Sequence, residues 1–317
     1  MSADDLFELE KAADLLESHP DYRVLRRLAV HHGYGDAPVG RPVRIGLILD
    51  TETTGLESAD RVIELAILRF EFDAVTGAVY RITDTYGAYE DPGVPIAESA
   101  TKVHGITQPM IQGKKFDDAA VDRIISGAHL VIAHNARFDR VMIERRYPAF
   151  AQLAWGCSYA EVAWKDMGFS GSSLEFIANR CGFFYEAHGA MMDCRALLEV
   201  LHRTEKHANP ALKQILMAAS RVDEKIWALN APFDRKELLK GRGYRWFGEE
   251  PKAWWIALPR SEAFEERKWL LNNVYPGSSA KVRIDVMDAY SRYSERLTDS
   301  KVRQISLTDS DQMSLEL

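Results

Sequence analysis

The spacing of hydrophobic residues changes along the first part of the chain. Residues 4–17 carry Leu and Ala at helical spacing, and we read residues 22–32 as a second helix, followed by the Gly- and Pro-rich linker GYGDAPVGRP. From residue 43 the pattern becomes two-fold and β-branched, in VRIGLILD, RVIELAILRFEFD and AVYRITDTYGAYE. This predicts a helical N-terminal extension over residues 1–40, and then three strands that form at least part of a hairpin meander.

After these strands the pattern alternates between helices and strands. FDDAAVDRIISG and ARFDRVMIERRY predict helices, AHLVIAHN is an apolar run of the kind found in buried parallel strands, and QLAWGCS predicts a further strand. Three more helices are predicted at 158–166, 173–181 and 190–206. Together these elements indicate an α/β fold, with a mixed β-sheet flanked by helices, over residues 43–207.

The composition changes after residue 207. Five of the seven tryptophans lie within residues 221–275, namely Trp227, Trp246, Trp254, Trp255 and Trp269. This concentration predicts a small aromatic-rich C-terminal module over residues 218–290. Residues 291–317 are rich in Ser, Asp and Thr and contain few aromatic residues, so we predict a disordered tail there.

Composition narrows the class of protein. The chain has 317 residues, of which 46% are hydrophobic and 27% are charged, enough for one large core with additional elements. No apolar run approaches the roughly 20 residues that span a bilayer, and the acidic N-terminus does not resemble a signal peptide, so we expect a cytoplasmic protein with no membrane contact. The three cysteines form no C-x-x-C pair, which predicts neither a disulfide framework nor a zinc site.

The net charge of −7 argues mildly against a protein that coats nucleic-acid phosphates, because such proteins usually carry a basic surface. A local basic surface, or contact with phosphate through a metal ion, stays open.

Two carboxylates end the first predicted strand. Asp50 and Glu52, in LILDTETTGL, lie two residues apart, so their side chains point to the same face at the strand end where α/β sheets bind ligands. Carboxylates this close repel each other unless a cation lies between them, and their oxygens suit a hard divalent ion such as Mg²⁺ or Mn²⁺. Taken alone, the motif also fits a solvated strand end.

Further acidic residues follow two later elements. HNARFD places Asp139 in the first turn of the helix after the buried strand, where the helix dipole favours a negative charge, and Asn135 is a candidate N-cap. HGAMMDC places His188 in the loop before the last predicted helix and Asp193 on that helix. Each of these residues alone is compatible with a structural role. Their conjunction with the acids of the first strand is what indicates a site.

The order of these motifs resembles that of the DEDD family of 3′ to 5′ exonucleases, in the subgroup with histidine in the third motif. This subgroup includes the proofreading epsilon subunit of bacterial DNA polymerase III. The resemblance covers roughly residues 43–205, with DTETTGL, HGIT, HNARFD and HGAMMDC in the family's order. It implies a ribonuclease H-like fold. Gly189 and Met191 depart from the family's usual HRALxDA wording, which bears on substrate contacts more than on catalysis.

The resemblance also implies roles for the matching residues. Four carboxylates would hold two Mg²⁺ or Mn²⁺ ions, which clamp the attacking water and the leaving 3′ oxygen: Asp50, Glu52, Asp139 and Asp193. His188 would accept the proton from that water, because histidine titrates near neutral pH.

Five residues are candidates for contacts with the terminal nucleotide: Thr53, Thr54, Leu56, His104 and Asn135. The two threonines would offer backbone or hydroxyl contacts. Leu56 would wedge against the last base, or else belong to the core. His104, in HGIT, would approach the nucleotide, or else stabilise a turn.

Basic residues alternate with aromatic residues in the C-terminal module, in RKELLKGRGYRWFGEEPKAWW. Lys240, Arg242, Arg245 and Trp246 are therefore candidates for binding single-stranded nucleic acid, whose bases stack on aromatic rings. The alternative is that the tryptophans form the core of a small domain.

The last residues, QMSLEL, resemble the peptide by which bacterial replication proteins bind the sliding clamp, with Gln312, Leu315 and Leu317 as anchors. A chance match in a solvated tail is the alternative. The chain contains no polymerase signature, so proofreading would need a polymerase partner in trans.

The sequence therefore predicts a metal-dependent 3′ to 5′ exonuclease that releases nucleoside 5′-monophosphates from DNA, at single-stranded or frayed 3′ ends. An exonuclease acting on RNA is an alternative of the same class. A non-catalytic adaptor that binds nucleic-acid ends is an alternative of another class, although the presence of all five catalytic-type residues argues against it.

Overall fold

The structure is a computed structural model that describes residues 3–57, 59–248, 250–275, 280–296 and 302–307. The chain divides into two compact units, one formed by Met1–Arg146 with Gly156–Leu216 and the other by Tyr147–Trp155 with Met217–Leu317. This division after Leu216 falls between the end predicted for the first domain, at residue 207, and the start predicted for the second, at residue 218. Among the described residues, none of the helices is both long and apolar enough to cross a membrane.

The first unit contains a five-stranded mixed sheet. Its strands are β2 (Val43–Thr53), β3 (Val62–Asp73), β4 (Val79–Tyr89), β5 (Leu130–Ala133) and β6 (Trp155–Cys157), in the order β4-β3-β2-β5-β6. Strand β3 is antiparallel to both of its neighbours, β2 and β4, whereas β5 runs parallel to β2. The predicted hairpin meander, followed by a buried parallel strand, is confirmed.

Helices flank this sheet. They are α1 (Ala3–Glu17), α2 (Glu98–His104), α3 (Gln108–Ile111), α4 (Asp118–Ile125), α5 (Ala136–Arg146), α6 (Ser158–Glu161), α7 (Leu174–Arg180), α8 (Ala190–Arg203) and α9 (Ala211–Ser220). α8 packs on β2, β3 and β4, while α5 packs on β2, β3 and β5. Consecutive residues Leu47, Ile48 and Leu49 of β2 are all at most 1% exposed, so both faces of this strand are covered. The predicted α/β fold with a mixed sheet flanked by helices is confirmed.

Two predicted helices differ in the structure. Residues 22–32 contain a short strand, β1 (Arg26–Arg27), which pairs in parallel with β7 (Phe183–Phe184). The Arg26 guanidinium contacts Glu10, Asp14 and Glu17 of α1, so these ion pairs and the β-pairing outweigh the weak local helical pattern. The helix predicted at 158–166 ends at Glu161, and turns follow it.

The second unit contains an antiparallel sheet of five strands. They are β8 (Asp223–Ala228), β9 (Arg245–Trp246), β10 (Trp254–Pro259), β11 (Ala280–Met287) and β12 (Val302–Leu307), in the order β12-β11-β8-β10-β9. The helices α10 (Lys236–Gly241) and α11 (Arg260–Asn273) complete the unit. Alternate residues of β8 (Ile226 and Ala228) and of β11 (Val282 and Ile284) belong to a buried core that includes Leu270 of α11. Short 3-10 helices lie at Pro148–Gln152, Thr204–Lys206 and Phe233–Arg235.

The predicted disordered tail, residues 291–317, is wrong for two described parts of it. Residues 291–296 include turns in which Ser291 and Arg292 are buried. Residues 302–307 form β12, which pairs along its whole length with β11, for example Ile305 with Val282. Only the last three residues, Ile305, Ser306 and Leu307, alternate between apolar and polar, so the local pattern for a strand is short, and the polar composition of the surrounding segment obscures it. Residues 297–301 and 308–317 lie outside the described residues.

Gly46 provides a test of packing in the strand that carries Asp50. A Cβ at this position would lie 2.6 Å from two ring carbons of Phe70, which is fully buried. We expect Gly46→Ala to lower the free energy of unfolding by about 1–3 kcal/mol, because the ring cannot move without disturbing the core. Urea unfolding measures this change.

Gly87→Ala is the matched control, since its Cβ would meet only Met191 at 3.5 Å, an ordinary van der Waals distance. Equal urea midpoints for Gly46→Ala and Gly87→Ala would contradict the packing described for Gly46.

Candidate active site

Asp50 and Glu52 lie near the carboxyl end of β2 and are both partly exposed. Residues two apart on a strand share a face, so both carboxylates point the same way. Opposite Glu52 in the β2–β3 register lies Glu64, and the register shifts directly after Glu52. The shift ends regular pairing at the point where the two carboxylates are presented.

Helix α8 brings a third carboxylate to these two. Asp193 lies in its first turn, where the helix dipole favours a negative charge. One Asp193 oxygen accepts a hydrogen bond from the Tyr185 hydroxyl at 2.7 Å, and the other accepts one from the His188 backbone N–H at 2.9 Å. Carboxylate oxygens of Asp50, Glu52 and Asp193 all lie within 4.8 Å of one another.

The fourth predicted carboxylate, Asp139, belongs to the first turn of α5 and is only 4% exposed. Its Oδ1 accepts hydrogen bonds from the backbone N–H and the hydroxyl of Thr51, at 3.1 and 2.8 Å. Asp139 raises the pKa of Asp50, so the two carboxylates are close enough to repel each other. The structure therefore brings all four predicted acids to one end of β2.

Repulsion and burial raise the pKa of every carboxyl in this group. Burial is the largest cause in each case. It raises the pKa of Glu52 to about 8, with the negative charges of Asp193, Glu64 and Asp139 adding to the shift. For Asp139 the pKa rises to about 7 even though the bonds from Thr51 lower it. Glu52 and Asp139 would therefore be fully ionised near neutral pH only if a cation lay among these acids.

These residues fit a divalent cation. Oxygen ligands on at least three carboxylates, within 4.8 Å of one another, are what hard ions such as Mg²⁺ and Mn²⁺ prefer. A cation among them would reverse the effect of repulsion on each pKa.

Glu64 is a fifth carboxylate at this place that the sequence interpretation missed. It accepts a hydrogen bond from the Ala190 backbone N–H at 3.3 Å, and burial raises its pKa although this bond and a bond with Tyr89 lower it. The predicted hairpin could have revealed Glu64, because the register of β3 on β2 places Glu64 directly opposite Glu52.

His188 is exposed and adopts a positive φ of 67° in the loop before α8. The imidazole of His104 lies near enough to His188 for the charge of His188 to lower the pKa of His104, after the larger effect of burial. His104 itself donates from Nε2 to the Thr53 carbonyl at 3.2 Å, and its Nδ1 accepts the Ile106 N–H at 3.0 Å. These two hydrogen bonds are the contacts expected of a histidine that stabilises a turn, which was the alternative role of His104.

The loop after β2 uses the predicted threonines internally. The hydroxyl of Thr53 donates to the Gly55 carbonyl at 2.6 Å, and that of Thr54 donates to Asp60 at 2.7 Å. Leu56 is 83% exposed, so its alternative role as a core residue is wrong. The Asn135 carbonyl accepts the Phe138 N–H at 2.8 Å as α5 begins, and its side chain is exposed.

The four candidate residues of the C-terminal module do not form one surface. Lys240 pairs with Glu237, and Arg242 pairs with Glu266. Arg245 and Trp246 are exposed neighbours on β9, so their side chains point to opposite faces of the sheet. The predicted clamp-binding residues Gln312, Leu315 and Leu317 lie outside the described residues, and that prediction stays untested.

Comparison with known proteins shows the family to which the chain belongs. The model of the RNase T exonuclease family matches residues 47–201. The epsilon subunit of DNA polymerase III from Pasteurella multocida is 30% identical over 176 residues, which cover 51% of this chain and 68% of that protein. The PolC-type DNA polymerase III of Listeria welshimeri is 32% identical over 117 residues, 36% of this chain. The match spans only 8% of that polymerase, so the activity and partners of the whole polymerase do not transfer with it.

Solved structures that match part of the chain include exonuclease X in complex with 5′-overhanging duplex DNA. It is 22% identical, covers 54% of this chain and 97% of its own, and gives a TM-score of 0.41. The metal-free E. coli ExoI–ssDNA complex is 14% identical and gives a TM-score of 0.47, with 73% of this chain and 69% of its own covered.

The fold and the cluster of acids define an α/β protein of the exonuclease class. The chain belongs to the exonuclease family that includes the epsilon subunit of DNA polymerase III, as the motifs predicted.

The raised pKa values predict how metal binding responds to pH. A carboxyl must lose its proton before it ligates a metal, so Glu52, with a pKa of about 8, and Asp139, with a pKa of about 7, will release protons when Mn²⁺ binds at pH 7. The apparent affinity should therefore rise between pH 6 and pH 8.5, and the number of protons released should fall above pH 8.

Calorimetry in two buffers of different ionisation enthalpy measures the released protons. Glu52→Gln should reduce the number, because the variant has no proton to lose at that position. A binding enthalpy that does not depend on the buffer would contradict the electrostatics described for this site.

Proposed function

We propose that this chain is a metal-dependent 3′ to 5′ exonuclease that releases nucleoside 5′-monophosphates from the 3′ ends of DNA. The observation that supports this most is the convergence of Asp50, Glu52 and Asp193, whose oxygens lie within 4.8 Å of one another and whose pKa values are all raised. Acids arranged in this way are unfavourable in a protein that binds no cation there. Membership of the exonuclease family agrees with the proposal.

The cofactor we propose is a pair of Mg²⁺ or Mn²⁺ ions, held by Asp50, Glu52, Asp139 and Asp193. When bound, such a pair supplies positive charge to the attacking and leaving oxygens of an in-line displacement at phosphorus. The ions also offset the negative charge of the carboxylates, which allows the phosphate to approach.

Hydrogen bonds within the chain orient these ligands. Asp139 Oδ1 is held by both donors of Thr51, which leaves Oδ2 as the oxygen for a ligand. The Tyr185 hydroxyl and the His188 backbone N–H hold one oxygen each of Asp193. Because donors fix the position of a carboxylate, fewer conformations are lost when a metal binds.

His188 is the residue that we propose as the general base. Its backbone is tied to Asp193 while its imidazole is exposed, so the ring is held near the acids and stays accessible to water. The neutral imidazole would accept a proton from the attacking water and transfer it to solvent.

We propose that residues at the rim of this site bind the 3′ end of the substrate. Leu56 is 83% exposed, and we propose that its side chain packs against the terminal base. Since the Thr53 and Thr54 hydroxyls are bonded within the loop, contacts from this segment would come from its backbone. The Asn135 side chain and His104 are the remaining candidates.

We favour DNA over RNA as the substrate, because the relatives that match the chain are named as DNA polymerases or their subunits. The proposed form of the substrate is a single-stranded or frayed 3′ end. A polymerase acting in trans and a sliding clamp are the proposed protein partners, and a cytoplasmic location stays a prediction.

Asp50→Asn should reduce activity at least about 100-fold, because the change removes a charge from the centre of the acid cluster. The assay uses 5′-labelled single-stranded DNA, mismatched duplex DNA and RNA, each with Mg²⁺, Mn²⁺ or EDTA. EDTA should stop cleavage of every substrate.

Asp122→Asn is the matched control, since Asp122 is exposed on α4 and its replacement should leave the rate unchanged. Absence of 3′ shortening in all metal conditions would exclude the proposed activity. Shortening of RNA alone would replace DNA by RNA as the substrate.

His188→Ala should lower kcat about 100-fold or more at saturating Mn²⁺, because a general base contributes about 10²–10⁴-fold. The wild-type rate should fall as the pH is lowered, because a general base must be unprotonated to accept a proton from water. The variant should show a low rate that changes little over the same pH range.

His32→Ala, at another exposed histidine, should keep the wild-type profile. A variant at His188 with the same pH dependence as the wild type would exclude this residue as the base.

A further inference from the structure

A cavity of about 230 Å³ lies in the first unit beside the C-terminal end of α8. Its walls include Phe169, Arg180 at the end of α7, and Arg203, Lys206 and His207 around the end of α8. Asp193 and Arg203 are ten residues apart on α8, so the cavity lies about 15 Å from the acid cluster along this helix. It is therefore separate from the candidate active site.

Positive charge surrounds this cavity. Arg180 and Lys206 are exposed, and within the described part of the chain neither forms an ion pair within 4.0 Å. Arg203 is fixed in place, since its Nε donates to Glu199 at 2.5 Å and its Nη1 donates to the Cys181 carbonyl at 2.9 Å. Two uncommitted cations thus face the same space as Arg203, whose charge is paired with Glu199, in a chain whose net charge is −7.

Negative charge near the cavity is already compensated. None of the lining residues in the described part of the chain is a carboxylate. The nearest acid that the contacts identify, Glu199, accepts hydrogen bonds from Arg203 and the Tyr34 hydroxyl and contacts the His31 ring. Burial raises the pKa of the Cys181 thiol to about 11, so this lining residue stays uncharged.

The cavity also has an apolar wall. Phe169 is buried, and the ring of His207 lies 6.0 Å from it, centroid to centroid. A small ligand that combines an anionic group with a ring would contact both the cations and these aromatic side chains. The volume suits a small molecule or the end of a strand, and it is too small for a long segment.

We propose that this cavity binds a phosphate monoester through Arg180, Arg203 and Lys206. Arginine and lysine are the side chains that bind phosphate most strongly, because their hydrogen bonds to it are charge-assisted. Two sources share this chemistry: a free nucleoside monophosphate, and the 5′-phosphate at the end of a nucleic-acid strand. The proposal does not depend on the proposed function, since the site contains none of the acids that would hold a metal.

Calorimetry on the full chain in EDTA tests the proposal. In EDTA no metal ion can join the acid cluster to phosphate, and the carboxyls themselves offer phosphate no positive charge, so binding reports on the cavity. Inorganic phosphate and deoxyadenosine 5′-monophosphate should bind, whereas deoxyadenosine should not. The variant Arg180→Ala/Lys206→Ala should bind both phosphates at least about tenfold more weakly, since it loses two charge-assisted contacts.

Lys115→Ala is the matched control, an exposed lysine of the same unit that does not line the cavity. It should bind as the wild type does. Because Arg180 and Lys206 are exposed, we expect the double variant to keep the wild-type melting temperature. The single change Lys206→Ala provides a second variant, and it should weaken binding by an intermediate amount.

Oligonucleotides with a 5′-phosphate or a 5′-hydroxyl distinguish the two sources. Tighter binding of the phosphorylated strand, lost in the double variant, would support the strand end as ligand. Equal binding of the two strands, with mononucleotide binding lost in the double variant, would support the free mononucleotide. Absence of phosphate binding in EDTA, or binding that the double variant and Lys115→Ala alter equally, would overturn the proposal.

Discussion

Repulsion among carboxylates at the end of β2 is the constraint on which the arrangement of the first unit depends. Asp50 and Glu52 share a face because the strand alternates, and Asp193 is added by α8. Folding therefore brings negative charges into a partly buried place, where their pKa values rise. A sheet that is covered on both faces holds these strands and helices in position, and it makes this unfavourable convergence possible.

The residues around the acids reduce the unfavourable energy of this repulsion and burial without cancelling it. Thr51, Tyr185 and the backbone of His188 donate hydrogen bonds to the acids, and each of these bonds lowers a pKa. Their effect is smaller than that of burial, so the pKa values of Asp139 and Asp193 stay above the ordinary value. The donors also fix the direction of each carboxylate. Because these hydrogen bonds orient the carboxylates without neutralising them, the carboxylates are positioned to bind a cation from solution.

The sequence predicted those parts of the fold that depend on local pattern. The hairpin strands and the helices that carry Asp139 and Asp193 follow from periodicity, and the order of the acidic motifs indicated which of them converge. Long-range pairing was not predictable in the same way. Arg26 and Arg27 form a short strand because of partners in α1 and β7, and Glu64 reaches the site through strand register. Arg242 of the C-terminal module pairs with Glu266, an acid 24 residues away that only the fold brings near.

Helix α8 shows how electrostatics and function overlap in this chain. Its first turn carries Asp193 and its last turn carries Arg203, the distribution that the helix dipole favours in any helix. The same distribution places an acid where a metal would mediate contact with phosphate, and a cation where phosphate would bind directly. The net charge of −7 belongs to the whole chain and does not indicate the local charge at either end of α8, which is what a phosphate would meet. The helix dipole alone favours an acid in the first turn and a cation in the last turn, so the positions of Asp193 and Arg203 are not evidence of function. The functional inference at each end of α8 depends on the side chains that surround these two residues.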